Sequence, residues 1–236
     1  MSPLGRFLYA FAKNSVIVLA KVLFFIRYKG AGNIPRTGGV ILASNHASHL
    51  DPPLVGVGVP RKVTFIAKQE LFRVPLLGWW LRQIGQISVE RGGGGRAALN
   101  AAEKVLRDGG VIIIFPEGTR TQTGRMGRGH TGVAVLALKT GVPVVPVAIE
   151  GTFEAFGKGK RIIKPNRVSV VYGEPIHFDQ LKSQSGEIQK QELETATAKV
   201  MLAIQEQLPE KRRPREGEAP KSQILAGDKV APTIGG

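Results

Sequence analysis

The 236-residue chain contains no cysteine. Disulfides, thiol nucleophiles, Cys-ligated zinc and iron–sulfur clusters are therefore excluded. Aromatic residues make up only 6% of the chain, too few for the platforms on which nucleic-acid bases stack. Acid is scarce at one end: no Asp or Glu precedes Asp51, while Arg6, Lys13, Lys21, Arg27, Lys29 and Arg36 all fall in that stretch. A transmembrane helix wants roughly 20 predominantly apolar residues in a row, and basic residues interrupt residues 4–27, so a tilted span with snorkelling lysines ranks below a helix on the membrane surface. The same interruptions, with no clear small-residue cleavage site after them, argue against a signal peptide.

What is present describes a folded, basic protein. Apolar residues are 42% of the total, enough for a core in one large domain. The net charge of +15 points to anionic partners: a membrane surface, phosphorylated substrates or nucleic acid. No nucleic-acid-binding motif accompanies the charge, so nucleic acid is not expected among the partners. At 100° per residue, Arg6, Lys13, Lys21 and Arg27 fall within one third of a helical wheel over residues 4–27. Leu4, Leu8, Phe11, Ile17, Val18, Val22 and Phe25 are assigned to the other side. Such a segment reads as a helix lying in a membrane interface.

Beyond it, apolar or β-rich runs at 40–44, 63–67, 86–89, 111–115, 143–149 and 168–172 alternate with helix-like segments at 53–59, 75–83, 96–107 and 131–140. The segment 27–32 is a candidate edge strand. Runs such as Val111–Phe115 are apolar throughout, which suits strands covered on both faces. The expected fold is α/β: a mostly parallel or mixed central sheet flanked by helices, with an N-terminal membrane-interface helix. Residues 187–207 read as a long polar helix with Leu193, Val200 and Ile204 on one stripe. The expected division is 1–29 as the membrane-associated segment, 30–208 as the α/β domain and 209–236 as a disordered tail.

Four segments carry candidate chemistry. Asn45-His46-Ala47-Ser48-His49-Leu50-Asp51-Pro52 follows the strand at 40–44, at the end of a strand where open α/β sheets hold their ligands. A turn there can fold Asp51 back onto His46, fixing the imidazole tautomer and leaving Nε2 as a general base. His46 and His49 are spaced as metal ligands could be, but the surrounding carboxylates are few and no metal site is expected. Phe115-Pro116-Glu117-Gly118-Thr119-Arg120 follows another strand; Gly118 allows close backbone approach, and Arg120 offers a fork for phosphate. The third segment, Gly85 to Arg91, ends in an arginine at a strand end, and the fourth is Val142 to Thr152.

Together these segments resemble the lysophospholipid acyltransferase family, in its 1-acylglycerol-3-phosphate acyltransferase branch. The resemblance covers about residues 30–175 and rests on His46-x-x-x-x-Asp51, Gly85 with Arg91, FPEGTR at 115–120 and VPVVPVAIEGT at 142–152, in family order. Residues 67–75 resemble the stretch between the first two blocks, and Thr121 stands where many members have Ser. The resemblance implies transfer of a fatty acyl group from acyl-CoA or acyl-carrier protein to the sn-2 hydroxyl of lysophosphatidate, giving phosphatidic acid. It implies His46 as base and Asp51 as its orienting partner, with no bound cofactor. Lys68, Arg91 and Arg120 are then candidates for the acceptor phosphate, and Glu117, Gly118 and Thr119 for its surroundings. Glu117 would accept a hydrogen bond from the glycerol or brace Arg120. Backbone amides near the 45–51 turn are candidate oxyanion donors. The implied location is the cytoplasmic face of a membrane. Glycerol-3-phosphate or another lysophospholipid is the alternative acceptor, and a non-catalytic basic binding module is the alternative class.

Overall fold

The computed structural model describes residues 3–89, 94–179 and 188–215. A seven-stranded sheet forms its centre. In chain order the strands are β1 (Arg27–Lys29), β2 (Val40–Ser44), β3 (Val63–Lys68), β4 (Ile87–Val89), β5 (Val111–Ile114), β6 (Val144–Glu150) and β7 (Ser169–Tyr172). Their spatial order is β1-β7-β6-β2-β5-β3-β4. All neighbouring pairs are parallel except β6 with β7. Strands β6, β2, β5, β3 and β4 therefore end on one edge of the sheet. The segments that begin at residues 45, 69, 115 and 151 all start from that edge.

Helices cover both faces, as the apolar strands require. Helices α5 (Gly94–Arg107), α6 (Gly132–Thr140) and α8 (Lys190–Gln207) pack on one face, around Leu106, Leu136 and Ile204. Helices α1 (Pro3–Phe24), α2 (Asp51–Val57) and α7 (Thr152–Phe156) pack on the other, around Phe24, Val55 and Ala155. Two further helices, α3 (Gln69–Arg73) and α4 (Pro75–Gln83), form a small cluster with the first half of α1, through Phe72, Leu81, Ile84, Leu8 and Tyr9. α5 stops where the Gly109-Gly110 pair predicts: Gly110 N–H returns to Val105 C=O at 2.8 Å. α8 opens with a capping box in which Glu192 accepts from Gln189 N–H at 2.7 Å.

Two expectations are corrected. The helical wheel put Lys13 on an outward basic face. It lies instead on the packed side, with its ammonium donating to Val59 C=O at 2.6 Å; burial lowers its pKa. Leu8 also packs inward, and the helix ends at Phe24, so Arg27 belongs to β1. The outward face is bulky and apolar: Leu4, Phe7, Phe11, Val18, Leu19 and Val22 are all exposed. The second correction concerns the tail. Residues 209–215 are docked rather than free: Arg212 C=O accepts from Met126 N–H at 2.8 Å, and Arg213 C=O from Arg125 at 3.0 Å. Lys211 pairs with Glu150, and Arg212 with Glu154, charge complementarity that a compositional reading of EKRRPR does not see. Residues 216–236 lie outside the described residues.

Candidate active site

The site is built where two adjacent parallel strands end. β2 and β5 pair through Ala43 and Ile114, so the segments that leave them begin side by side. The first runs through His46 and turns into α2, whose first residue is Asp51. Asp51 is completely buried. Its Oδ2 accepts three hydrogen bonds: from Ala47 N–H at 2.7 Å, from Ser48 N–H at 2.7 Å, and from His46 Nδ1 at 2.9 Å. A carboxylate oxygen that already takes two amide donors can only accept from the ring, so Nδ1 carries the proton and Nε2 is left with its lone pair. The His46 side chain is 17% exposed, so the ring reaches the surface while its partner does not.

The second segment holds His46 by its backbone. Glu117 Oε1 accepts from His46 N–H at 2.8 Å, and Thr121 N–H donates to His46 C=O at 2.8 Å. The Phe115 ring stacks on the imidazole, with centroids 4.1 Å apart and planes inclined by 23°. Both backbone groups and one face of the ring are thus fixed by the loop after β5. Gly118 turns this loop with φ of +66°, and a Cβ there would stand 3.1 Å from the His130 ring. Asn45 secures the other side: its amide donates to Ile149 C=O at 2.9 Å and its carbonyl accepts from Ile149 N–H at 2.8 Å. Tyr28 and Tyr172 hydroxyls donate to Leu54 and Val55 C=O, which ties the helix carrying Asp51 to β1 and β7.

Glu117 differs from its expected role. Its second oxygen accepts from Gly127 N–H at 2.7 Å, so it clamps two backbone segments and does not brace Arg120. Only 6% of the residue is exposed. Burial pushes its carboxyl up to about 7, and the nearby Asp51 charge adds to the rise; the two amide donors pull the other way and lose. Ser48 Oγ donates to Phe156 C=O at 2.7 Å and accepts from Leu50 N–H, which makes it a structural hydroxyl. The His49 ring lies 6.4 Å from that of Phe156.

Most of the expected oxyanion donors are already engaged. The amides of residues 46, 47, 48, 50 and 51 each already donate within the fold, because the turn needs them to hold Asp51 and itself. Arg120 lines a cavity of about 350 Å³ together with Thr119, Thr121, Arg125, Arg128 and His130. Arg125, Arg128 and His130 were not singled out from the sequence; the signal was the basic, glycine-rich run 124–130 directly after FPEGTR. Lys68 closes β3 on the same sheet edge, opposite Val89 of β4. Its side chain, and the whole of Arg91, lie outside the described residues.

A buried carboxylate that holds one histidine tautomer can support a general base, and the cationic cavity lined by Glu117 and Arg120 can hold an anion. The acyltransferase family profile matches residues 25–150, just over half of the chain, and that range includes His46, Asp51, Glu117, Gly127 and the Asn45–Ile149 pair. The chain belongs to the acyltransferase family. It is 29% identical over 172 residues to the 1-acyl-sn-glycerol-3-phosphate acyltransferase of Bacillus subtilis, covering 72% of this chain and 83% of that one. It is 32% identical over 157 residues to the chloroplastic 1-acyl-sn-glycerol-3-phosphate acyltransferase of Arabidopsis thaliana. That match covers 64% of this chain and 44% of the plant protein, so the chain spans less than half of that relative's length. The fold matches the crystal structure of the 1-acyl-sn-glycerophosphate acyltransferase from Thermotoga maritima with a TM-score of 0.66 and 30% identity, over 85% of this chain and 76% of that one. In this acyltransferase the histidine and aspartate of the family resemblance are the pair held at 2.9 Å.

Proposed function

We propose that this acyltransferase moves a fatty acyl group from a thioester donor, acyl-CoA or acyl-carrier protein, to the sn-2 hydroxyl of 1-acyl-glycerol-3-phosphate, giving phosphatidic acid. The observation that carries the reading is His46, with Nδ1 held by the buried Asp51 and no partner at Nε2 among the described residues. Nε2 takes the proton of the acceptor hydroxyl as its oxygen attacks the thioester carbonyl carbon. Asp51 supports the imidazolium that results. The tetrahedral intermediate collapses with loss of the C–S bond, and the imidazolium returns its proton to the departing thiolate. No covalent acyl-enzyme is needed, which agrees with a chain that lacks Cys and uses Ser48 to hold its own backbone.

Arg120 is assigned to the acceptor phosphate, with Arg125 and Arg128 adding positive potential along the same cavity. Lys68, whose backbone closes β3 at the same end of the sheet, and Arg91, on the family resemblance alone, are further candidates for the phosphate. The oxyanion donors are sought in the turn 118–121, where the Thr119 and Arg120 amides donate to no acceptor among the described residues. The acceptor and the product both reside in a bilayer, and α1 is the contact with it. By length and composition α1 could cross a membrane. Its inner face is docked along the body of the protein through Leu8, Tyr9, Val16, Ala20 and Phe24, which supports a helix that lies in the interface with its apolar face toward lipid; the side proposed is the cytoplasmic one.

The test is a panel of acceptors (lysophosphatidate, glycerol-3-phosphate and other lysophospholipids) against both acyl-CoA and acyl-carrier-protein donors, with thiol release and lipid product measured together. Thiol release dependent on lysophosphatidate, with phosphatidic acid formed in equal amount, is expected. Transfer to glycerol-3-phosphate in preference would assign the other acceptor.

A further inference from the structure

The segment from Lys158 to Arg167 plays no part in the site described above, yet half of its ten residues are basic. It reads Lys-Gly-Lys-Arg-Ile-Ile-Lys-Pro-Asn-Arg, and no acidic residue occurs between Glu154 and Glu174. Residues 158–165 are all exposed. Ile162 and Ile163 are 72% and 44% exposed, two adjacent large apolar side chains in water amid cations. Lys160 is held against α7, donating to Phe153 C=O at 2.8 Å and Glu154 C=O at 2.7 Å. Lys158, Arg161, Lys164 and Arg167 have no carboxylate partner among the described residues.

The position of the segment is as telling as its composition. It begins at Gly157, which bridges to Ser48 in the turn that carries the base. It is pinned midway by Lys164 N–H to Ala155 C=O at 2.9 Å. It ends against α1, with Asn166 N–H on Leu23 C=O at 3.3 Å and Val168 N–H on Phe24 C=O at 2.9 Å. The segment thus connects the catalytic turn to the end of the helix whose apolar face is open, where Val22 and Phe25 are exposed.

We propose that residues 158–167 are a second membrane-docking element, which binds the surface of an anionic phospholipid bilayer and inserts Ile162 and Ile163 among its headgroups. Apolar side chains flanked by several cations lose water to lipid while the cations gain anionic headgroups, and both contributions act together at one surface. Continuity with α1 favours a bilayer over an acidic protein as the occupant. The inference rests on the reading of α1 as a membrane contact. Docked at both places, the protein holds the His46 turn close to the lipid surface from which the acceptor comes.

The experiment is flotation of the full-length protein with two kinds of vesicle, pure phosphatidylcholine and a mixture with phosphatidylglycerol. Lys158→Gln, Arg161→Gln and Lys164→Gln are combined in one variant. Lys104→Gln, Lys139→Gln and Lys190→Gln, on helices of the opposite face of the sheet, form a charge-matched control. A third variant, Ile162→Ser with Ile163→Ser, removes the inserted side chains. All the substituted residues are exposed, and thermal unfolding verifies the fold. Basic residues near such a surface contribute enough that the loop triple should lower partition onto anionic vesicles by roughly ten- to a hundredfold. The control should change it by less than about threefold, and the isoleucine pair should weaken binding to both kinds of vesicle. Equal losses in the loop triple and the control would mean a net-charge effect and would overturn the proposal. Unchanged vesicle binding in the loop triple would overturn it too, and a raised KM for acyl-carrier protein in that variant would reassign the loop to the donor. A Phe11→Ser, Val18→Ser and Val22→Ser variant tests α1 separately, so failure of the loop and failure of the helix are told apart.

Discussion

Replacing Asp51 with asparagine separates its charge from its shape. Asp51 Oδ2 takes two amide donors and the ring Nδ1. An asparagine carbonyl oxygen at that place keeps all three bonds; the reverse orientation would set an NH2 against three donors. The asparagine NH2 then occupies the place of Oδ1, which is buried with no partner. Leaving a buried donor unpaired costs about 1–3 kcal/mol of stability. The geometry at His46 survives, but the imidazolium loses its counter-charge. A charge-assisted hydrogen bond exceeds a neutral one by about 1–2 kcal/mol. At 2.9 Å and an effective dielectric constant near 20, the lost attraction has an upper bound of about 6 kcal/mol. A fall in kcat of about 10- to 10³-fold is expected at neutral pH. The assay is thiol release from acyl-CoA at saturating lysophosphatidate, with the melting temperature checked against wild type. A folded variant with kcat within about threefold of wild type would refute the role given to Asp51.

Glu117→Gln should alter how stability depends on pH. The wild-type carboxyl holds its proton up to about 7 in the folded protein, against a usual value of 4.5. As pH rises through that window the unfolded chain loses this proton first, so the wild type loses stability on the order of 3 kcal/mol that the glutamine variant does not lose. Urea unfolding at pH 5 and pH 8 measures the difference; parallel pH dependence would contradict the buried, proton-retaining carboxyl. Arg120→Ala should raise KM for the phosphorylated acceptor by roughly ten- to a hundredfold, with KM for the acyl donor changed by less than about threefold; equal changes in both would place Arg120 elsewhere. Phe11→Ser, Val18→Ser and Val22→Ser together should reduce flotation with vesicles without lowering the melting temperature, since all three side chains are exposed. Deletion of residues 1–27 is the poorer test, because it also strips Ala20 and Phe24 from the core.

The strands were the most legible part of the fold. Val40–Ser44 and Val111–Ile114 stand within a residue of their expected bounds, because four or five consecutive apolar residues between turn signals have few alternatives. The five-residue helices α3 and α7 are too short to show a helical period. The reversed direction of β1 and β7 has no local signature either, since strand pairing is decided by residues far apart in sequence. At the site, the approach of Asp51 to His46 followed from their spacing and the turn between them. The clamp by Glu117 did not, because it acts through backbone N–H groups of His46 and Gly127, and those look alike at every position. The inward position of Lys13 has no local signature for a related reason. Lys13 satisfies its ammonium on a carbonyl and packs its methylene stem, so a charged residue marked the inner face rather than the outer.

The central claim is that His46 is the base for direct acyl transfer, and one measurement bears on it most directly. His46→Ala, with its melting temperature checked against wild type, is assayed for thiol release with acyl-CoA and lysophosphatidate. Loss of the base should lower kcat by at least about 10²–10⁴-fold, with KM for lysophosphatidate little changed because the phosphate site is separate. Turnover within tenfold of wild type in a folded His46→Ala protein would contradict the account.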